Sequence, residues 1–324
     1  MLNYKILVTG AAGFIGRSVC EKLLSFYSTV VAVDNLNDYY SVSLKMARLE
    51  TLIGKEGFIF KKLDLTQWDA VFDLFALYKF DYVIHLAAQA GVRYSIKNPH
   101  VYAQSNLIGT TNILEACRLH SIKHLVLASS SSVYGKSSKE SFDENDCTDK
   151  PISYYAATKK SNEVMVYSYS HLYNLSTTVL RLFTVYGPWG RPDMAAWIFT
   201  AAILRDESIK IFNNGLLKRD FTYIDDATEC IVKMMGHVPQ KRVPFDIYNV
   251  GNHHSVSLMD FIHSVEAACG KKAVKDYLPM QEGDIYATCA NTNKLKKAIG
   301  FVPSTPLDMG IKIFVKWYRD FHAI

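Results

Sequence analysis

The segment SYYAATKK, residues 153–160, carries a phenol and an ammonium at a spacing that could move a proton. Residues four apart lie on one face of a helix. Tyr155 has Lys159 four positions later, whereas Tyr154 has Thr158. A free tyrosine has a pKa of about 10, and a neighbouring ammonium favours its phenolate. Many ordinary helices carry Tyr and Lys, but this spacing also suits a general base acting on an alcohol.

A glycine-rich turn near the N-terminal end predicts a dinucleotide site. The stretch TGAAGFIG places Gly10, Gly13 and Gly16 after an apolar run and at the start of a helical pattern. Glycines let the backbone approach a pyrophosphate, and the helix N-terminus offers N–H groups and a positive dipole end. Asp34, at the end of the second apolar run, is placed to bind the adenosine ribose hydroxyls. A carboxylate there repels the extra phosphate of NADP, and no arginine follows in DNLNDYY, so we predict NAD.

The elements that must position these groups follow an alternating pattern. Short apolar runs alternate with longer helical stretches, which predicts an α/β fold: a doubly wound parallel sheet covered by helices on both faces. The predicted strands are residues 4–9, 29–34, 58–64, 82–87, 124–129 and 176–183. The predicted helices are residues 14–26, 41–53, 67–78, 98–120 and 152–173.

The pattern loosens after residue 184. The polar segment 136–150 reads as an exposed loop, the sequence around NNG (213–215) as a strand pair, and residues 246–250 as a further strand. We therefore predict two interleaved domains. They are an NAD-binding Rossmann domain over 1–183 with a return segment near 222–252, and a smaller substrate domain over 184–324.

Composition restricts the class of partner. Of the 324 residues, 49% are hydrophobic and 21% are charged, as in a globular protein. The net charge of +5 is spread along the chain, which argues against nucleic-acid binding but permits an anionic small substrate. Six cysteines form neither a CxxC pair nor a zinc-like cluster with histidine, so we predict free thiols, a cytoplasmic location and no metal. No apolar run is long enough for a membrane span.

The GxxGxxG spacing, with YxxxK about 140 residues later, resembles the extended short-chain dehydrogenase/reductase family over essentially the whole chain. The resemblance implies that Asp64 and Leu65 flank the adenine, and that Asn106 holds the loop after the fourth strand. It also implies that the loop after the fourth strand lines the cofactor groove. Together with residues adjacent to the glycines and to Asp34, the predicted cofactor-binding residues are Gly10, Gly13, Phe14, Ile15, Gly16, Asp34, Asn35, Asn37, Asp64, Leu65, Leu86, Ala87, Ala88, Gln89, Asn106, Tyr155 and Lys159.

Four serines close the fifth predicted strand in SSSSVYG, residues 129–135. Hydroxyls at the end of a buried strand need partners, which a simple turn could also supply. In the family that the chain resembles, the serine or threonine three residues before the valine faces the substrate, and here that residue is Ser130. The implied catalytic set is Ser130, Tyr155 and Lys159, in which Lys159 also holds the nicotinamide ribose.

A narrower resemblance comes from five segments and includes the unusual WGRPD. They are similar to the UDP-glucuronate 4-epimerases and comprise residues 34–45, 90–99, 155–163, 183–194 and 218–226. The resemblance implies interconversion of UDP-glucuronate and UDP-galacturonate through a transient 4-keto sugar, with bound NAD and retention of the carboxylate. It also implies a homodimer built on the helices at 98–120 and 152–173. The apolar stripe LIGTTNILEACRL in the first of these helices fits a core equally well.

The same resemblance implies a UDP-sugar site. Arg219 corresponds to the arginine that binds the diphosphate, Phe212 to the aromatic against uracil, and Asp284 to the acid near the uridine ribose. Gln281 departs from the arginine that many relatives carry. The predicted substrate set is Arg93, Ser130, Ser131, Ser132, Thr184, Arg191, Phe212, Arg219, Gln281 and Asp284.

Two residues, Thr184 and Arg191, bear on which sugar the site accepts. Thr184 stands where neutral-sugar epimerases usually have asparagine, and Arg191 could clamp a uronate carboxylate because a guanidinium matches its geometry and charge. A surface or phosphate-binding role for Arg191 is the other interpretation. Decarboxylases and dehydratases that resemble this chain have glutamate where Ser132 stands, so retention of the carboxylate is favoured here.

Three alternatives remain open at this point. They are a UDP-glucose or UDP-N-acetylglucosamine 4-epimerase, a UDP-glucuronate decarboxylase, and a non-catalytic NAD-binding regulator on the same fold. The presence of Ser130, Tyr155 and Lys159 together argues against the regulator.

Overall fold

A computed structural model describes residues 2–136, 139–281 and 283–324. Its strands are β1 (Leu2–Thr9), β2 (Tyr27–Asp34), β3 (Phe58–Lys62), β4 (Tyr82–His85), β5 (His124–Ser130), β6 (Thr177–Leu182), β7 (Thr184–Tyr186), β8 (Ser208–Phe212), β9 (Lys218–Tyr223), β10 (Phe245–Val250), β11 (Ser255–Ser257) and β12 (Val274–Leu278). Its α-helices are α1 (Phe14–Leu24), α2 (Val42–Glu50), α3 (Trp68–Tyr78), α4 (Val92–Lys97), α5 (Pro99–Tyr102), α6 (Gly109–Leu119), α7 (Tyr154–Tyr173), α8 (Ala195–Leu204), α9 (Ile224–Gly236), α10 (Leu258–Cys269), α11 (Asn293–Ile299) and α12 (Leu307–His322).

A seven-stranded sheet forms the centre of the first part of the chain. Its strand order is β10-β6-β5-β4-β1-β2-β3, and the pairs β1–β2, β2–β3, β1–β4 and β4–β5 are parallel. The inner strands are buried on both faces, which explains why they are continuous apolar runs. The predicted doubly wound parallel fold is confirmed. Its order reverses between β1 and β4, and ligands of such sheets bind at that point, outside the carboxyl ends of the strands.

The chain divides into two compact units. Unit 1 comprises residues 1–135, 147–181 and 228–248, and unit 2 comprises residues 136–146, 182–227 and 249–324. Unit 2 holds a three-stranded sheet of order β11-β9-β7 and a parallel pair, β12-β8. The predicted domain boundaries and return segment stay predictions.

Two predicted elements differ from the structure. The helix predicted at 98–120 is α5, a π-helical segment over Ala103–Ile108, and then α6. The strand pair predicted around 213–215 is wrong: β8 pairs in parallel with β12, whereas β9 pairs with β7 and β11. Asn213 and Asn214 both have positive φ, at 51° and 49°, and they turn the chain out of one sheet before it enters the other.

The predicted exposed loop at 136–150 is partly buried. Its residues 137 and 138 lie outside the described part of the chain. Phe142 is 1% exposed and forms a bridge with Ala290, so this residue anchors the loop within unit 2. Among the described residues, no helix is both long and apolar enough to cross a membrane.

Candidate active site

The glycine turn after β1 is held by close backbone packing. Gly10 has φ 70°, and a Cβ at this position would lie 2.8 Å from the Cα of Ala87 in the segment after β4. A Cβ on Gly16, in the first turn of α1, would lie 2.1 Å from the carbonyl oxygen of Gly10. Only glycine fits both positions, because any side chain would push the turn away from the strand end or from the helix. The turn therefore leaves its backbone open at the helix N-terminus.

Asp34 at the end of β2 is tied to this turn. Its carboxylate accepts hydrogen bonds from the backbone N–H of Ala12 at 3.1 Å and of Leu36 at 2.9 Å. Burial raises the pKa of this carboxyl, while those two N–H groups and the charges of Lys45 and Arg48 oppose the rise. The two cations come from α2, so the sequence window after Asp34 did not reveal them.

Lys45 and Arg48 also order the segment between β2 and α2. Lys45 Nζ donates to the carbonyl oxygen and to Oδ1 of Asn37 at 2.6 and 2.7 Å. Arg48, fully buried, donates from Nη1 to the carbonyl oxygen of Ala12 at 3.1 Å and to the hydroxyl of Tyr40 at 2.6 Å. The predicted residue Asn37 and the glycine turn are thus supported by buried cations that our sequence reasoning missed.

The residues after β3 join the same group. Asn35 Nδ2 donates to Asp64 Oδ2 at 3.0 Å, and Thr66 donates to Asp64 Oδ1 from its N–H and its hydroxyl. Burial alone would raise the pKa of Asp64, but these hydrogen bonds hold it below its ordinary value. The carbonyl oxygen of Leu65 accepts from Asn112 of α6. The structure therefore brings Asn35 to Asp64, which precedes Leu65, and the contact of these residues with adenine stays a prediction.

Asn106 joins the loop after β4 to α7. It exchanges hydrogen bonds with the backbone of Gln89, accepting at 2.7 Å and donating at 3.1 Å, and it donates to Thr158 Oγ1 at 3.0 Å. It lies in the π-helical segment, and its carbonyl oxygen accepts from Asn162 at 2.8 Å. This interruption of the helix places one side chain between the predicted cofactor loop and the helix of Tyr155.

Helix α7 begins directly before the predicted base. Ser153 caps it by accepting from the N–H of Ala156 at 3.1 Å, so Tyr155 lies in the first turn. Its ring contacts that of Tyr102 edge-on, with centroids 6.1 Å apart. Lys159, one turn later, is 6% exposed and donates from Nζ to the carbonyl oxygen of Ala128 at 2.8 Å. Burial lowers the pKa of Lys159 to about 8, and the charge of Glu163 opposes that fall.

The serine cluster follows β5 and forms a tight turn. Ser130 Oγ donates to Ser132 Oγ at 3.1 Å and accepts from the N–H of Ser132 at 3.2 Å. Ser131 and Ser132 open a single 3-10 turn that ends at Tyr134. The local hydrogen bonds expected of a turn are therefore present, and they orient the Ser130 hydroxyl at the carboxyl end of a central strand.

Behind the serines lies a buried ion pair that our sequence reasoning missed. Arg181 donates from Nε and Nη2 to the two oxygens of Glu163, both at 2.9 Å, and each side chain is 2% exposed. Ser129 donates to Glu163 at 2.7 Å, and Arg181 donates to the Tyr134 hydroxyl at 3.0 Å. Glu163 follows Lys159 by one helical turn, which was the only sequence signal available.

The predicted substrate residues in α4 and unit 2 lie on several different elements. Arg93 is exposed in α4, Phe212 ends β8, and Thr184 begins β7. Arg219, in β9, donates to the carbonyl oxygens of Lys218 and Tyr286 at 2.8 and 3.3 Å.

Gln281 and Asp284 lie close in the chain after β12. The N–H of Asp284 donates to the Gln281 carbonyl oxygen at 3.4 Å, while Gln281 Oε1 is buried and accepts no hydrogen bond within the described part of the chain.

Arg191 is engaged with a neighbouring carboxylate. It donates to Asp193 from Nε at 2.9 Å and from Nη2 at 2.5 Å, in the fork geometry that favours such pairs. A substrate carboxylate would therefore share or displace Asp193 in order to bind this guanidinium.

Next to Arg219, Asp220 joins three segments of unit 2. It is fully buried and accepts from the N–H of Asn252 at 2.7 Å and of Ala290 at 2.9 Å. Burial raises the pKa of Asp220 to about 6 although these N–H donors lower it. The sequence showed only a KRDF segment, with no indication of these distant partners.

The parallel sheet, the glycine turn at its switch point and the Tyr155–Lys159 pair define a nucleotide-binding α/β protein equipped for proton transfer. The chain belongs to the NAD dependent epimerase/dehydratase family, whose sequence profile matches residues 6–251. That membership confirms the family predicted from the sequence. Among the described residues, no cluster of three His, Cys, Asp or Glu could hold a metal, and all six cysteines are free.

Within this family, the chain is similar over its full length to several individual proteins. The chain is 51% identical to an uncharacterised 37.6 kDa protein of Escherichia coli O111:H-, across 99% of this chain and 100% of the relative. It is 43% identical to a probable UDP-glucuronate 4-epimerase of Rhizobium meliloti, across 97% and 96% of the two chains. The crystal structure of the UDP-glucuronic acid 4-epimerase of Bacillus cereus, in complex with UDP-glucuronic acid and NAD, superposes with TM-score 0.92 and 33% identity, covering 98% and 99%.

Proposed function

We propose that this chain is an NAD-dependent 4-epimerase that interconverts UDP-glucuronate and UDP-galacturonate. The observation that carries the proposal is the contact of buried Lys159 with Ala128 near the carboxyl end of β5, the strand that ends at Ser130, with Tyr155 one helical turn before Lys159. Full-length similarity to enzymes named for this reaction confirms the activity predicted from the sequence.

The described residues fit NAD. A Cβ at Gly10 would collide with the backbone of Ala87, and one at Gly16 with the carbonyl oxygen of Gly10, so both glycines keep the turn packed tightly between strand and helix, as a pyrophosphate-binding turn requires. Asp34 would hold the adenosine ribose, and Asn35, Asp64 and Leu65 would lie near the adenine. Leu86, Ala87, Ala88 and Gln89 would line the groove, with Gln89 positioned by Asn106. When bound, NAD would accept a hydride from carbon 4 of the sugar and later return it.

Tyr155 takes the proton from the hydroxyl on carbon 4 and gives it back after the sugar has turned its other face. The positive charge of Lys159 favours the phenolate that this step needs, and the contact with Ala128 holds that charge in place. Ser130 donates to the same sugar oxygen once its hydroxyl hydrogen turns away from Ser132 Oγ, while the N–H of Ser132 keeps Ser130 Oγ in place.

The substrate carboxylate is retained because no acid stands beside the reacting carbon in the serine turn. Ser132, preceded by Ser131, occupies the position where decarboxylases and dehydratases that resemble this chain have glutamate. Arg191 binds the carboxylate in competition with Asp193. Arg219 binds the diphosphate, and Phe212, Gln281 and Asp284 contact the uridine.

The direct experiment is incubation of the purified protein with UDP-glucuronate, followed by NMR analysis of the products without added reductant. We expect UDP-galacturonate at equilibrium with the substrate. A UDP-pentose as the main product would assign the chain as a decarboxylase, and turnover of UDP-glucose alone would assign it as a neutral-sugar epimerase.

We also propose a cytoplasmic homodimer that uses the helices α6 and α7. Large apolar side chains are exposed along these helices and the π-helical segment before them: Ile108, Leu119, Val164, Tyr167, Leu172 and Tyr173. Several large apolar side chains exposed on two helices that contact each other are typical of an interface. Light scattering during size-exclusion chromatography should give twice the 36.6 kDa mass of the chain, and a Val164→Asp variant should give the single mass.

A further inference from the structure

The buried pair Glu163–Arg181 is the feature of unit 1 that the proposed chemistry does not use. Both side chains are 2% exposed, and two parallel hydrogen bonds of 2.9 Å join them. The net effect on the pKa of Arg181 is a rise: burial alone would lower it, but the hydrogen bonds and charge of Glu163 outweigh that effect.

Such a pair is poor evidence for a stabilising role. Removing two charges from water has a large free-energy cost, and replacing such a pair by apolar residues of similar volume often leaves a protein equally or more stable. The position of the pair indicates a different role. It lies where β5, the serine turn and α7 meet, and the predicted catalytic residues lie on β5 and α7.

Each of the three elements is attached to the pair by a side chain. Ser129, which donates to Glu163, directly precedes Ser130. Tyr134, whose hydroxyl accepts from Arg181 and whose ring lies 4.8 Å from the guanidinium carbon, ends the serine turn. Glu163 itself lies on α7, one turn beyond Lys159. A displacement of the pair would therefore move the serines relative to the lysine.

We propose, on the basis of the proposed function, that Glu163 and Arg181 form a positioning pair that keeps Ser130 in register with Tyr155 and Lys159, and that the charge of Glu163 sets the pH range of turnover. In this proposal neither Glu163 nor Arg181 touches the substrate.

The electrostatic part of the proposal depends on the charges that face Lys159 from each element around it. Glu163 lies on its own helix, Arg181 comes from β6, and Tyr155 lies one turn earlier. His85 of β4 is neutral over the working range, because burial and then the charge of Lys159 lower its pKa to about 3. Glu163 is the only one of these groups that carries negative charge before the phenolate forms, so its removal should make proton loss easier for both Tyr155 and Lys159.

The test is the pH dependence of kcat in Glu163→Gln. Both limbs of the profile, the acid one set by Tyr155 and the alkaline one set by Lys159, should move to lower pH. In an effective dielectric of about 20, one charge shifts a pKa by roughly one unit at about 12 Å and roughly two units at about 6 Å, so the shift should be larger for Lys159, one helical turn from Glu163, than for Tyr155, two turns away. Glu266→Gln is the matched control, since Glu266 is also 2% exposed and paired with two lysines, but in unit 2. Its profile should stay at the wild-type pH. A wild-type profile in Glu163→Gln would overturn the electrostatic role.

Two milder variants test the geometric part even if Glu163→Gln does not fold. Arg181→Lys keeps the charge but loses the fork, and Ser129→Ala keeps both charges but loses the link to the serines. Each should lower kcat by roughly tenfold with KM for UDP-glucuronate little changed. Wild-type kcat in both variants would overturn the positioning role.

A readout without turnover separates this inference from the proposed function. The ultraviolet absorbance of the Tyr155 phenolate, taken as the difference between wild type and Tyr155→Phe, should titrate at lower pH in Glu163→Gln than in the parent. If UDP-glucuronate is not a substrate, this shift is still expected; if the titration does not shift, the inference fails while the epimerase can stand.

Discussion

Lys159 donates a hydrogen bond from Nζ to the carbonyl oxygen of Ala128, 2.8 Å away, at the end of the central strand that leads into the serine turn. The lysine is thereby fixed against the strand rather than left to move in solvent. A fixed, buried ammonium acts on the neighbouring phenol more strongly than a solvated one, because the surrounding dielectric is lower.

The buried lysine predicts a fall of activity in base. Because burial lowers its pKa to about 8, its charge is lost as the pH rises through that value. We expect kcat to decline above about pH 8, and Lys159→Met to lower kcat at least about a hundredfold at pH 7. A rate that stays flat to pH 10 would contradict this role, and circular dichroism of the variant provides the control for folding.

Tyr155 and Tyr154 form a matched pair for mutation. Tyr155→Phe removes the hydroxyl that transfers the proton, so kcat should fall by at least about a thousandfold while NAD remains bound. Tyr154 is 40% exposed, and Tyr154→Phe should keep nearly full activity. The rates come from NMR detection of UDP-galacturonate, and bound NAD is measured by absorbance after denaturation. Equal activity of the two variants would remove Tyr155 as the base.

The cations around Asp34 predict an easy change of cofactor preference. In Asp34→Ser the repulsion of a ribose phosphate is gone, while Lys45 and Arg48 remain close to the vacated carboxylate. We expect NAD affinity to fall at least about tenfold and the preference to shift toward NADP. Calorimetric titration with both cofactors measures it. In the double variant Asp34→Ser/Lys45→Met the gain for NADP should shrink; an undiminished gain would show that Lys45 plays no part.

The pair Arg191–Asp193 separates uronate from neutral-sugar recognition. Arg191→Ala should raise KM for UDP-glucuronate roughly tenfold or more and leave that of any neutral UDP-sugar nearly unchanged. Asp193→Asn removes the internal competitor, so we expect the KM for UDP-glucuronate to stay the same or fall. Steady-state kinetics on both sugars decides the matter, and an equal loss on both in Arg191→Ala would exclude a carboxylate clamp.

Asp220 predicts a pH-dependent stability of unit 2. Burial raises its pKa to about 6 in the folded protein, whereas an unfolded aspartate titrates near its ordinary 3.8. Between these values the folded state holds a proton that the unfolded state lacks, so the free energy of unfolding falls as the pH rises from about 4 to 6. The integrated change is on the order of 3 kcal/mol.

Asp220→Asn checks that expectation. It should destabilise the protein by about 1–3 kcal/mol at pH 4, because the amide nitrogen cannot accept one of the two backbone hydrogen bonds. The difference from wild type should shrink toward pH 7, because the amide does not bear the cost of the buried charge. It should also remove the contribution of Asp220 to the slope between pH 4 and 6. Urea unfolding across that range measures both effects, and an unchanged slope in the variant would assign the proton uptake elsewhere.

Sequence reasoning failed where distant segments choose their partners. The helix predicted at 98–120 is interrupted by a π-helical segment, because Asn106 is bonded to Gln89 and Thr158 from other elements. The strands that flank Asn213 and Asn214 read as a hairpin, yet each is hydrogen-bonded to a strand more than thirty residues away. In both cases the local sequence favours helix or strand, as observed. Contacts with distant segments, however, replace the single helix and the hairpin that the local sequence would give by itself.

The sequence by itself determined what depends on neighbours along the chain: the alternation of strand and helix, the glycine turn before α1, and the spacing of Tyr155 and Lys159. These signals are local, since they follow from helix and strand periodicity and from steric limits at glycine. Only the tertiary structure decided that Glu163 meets Arg181 and that Lys45 and Arg48 surround Asp34. Such contacts join segments whose separation carries no periodic signal, and they exist only once the sheet has formed and water has been excluded from its edge.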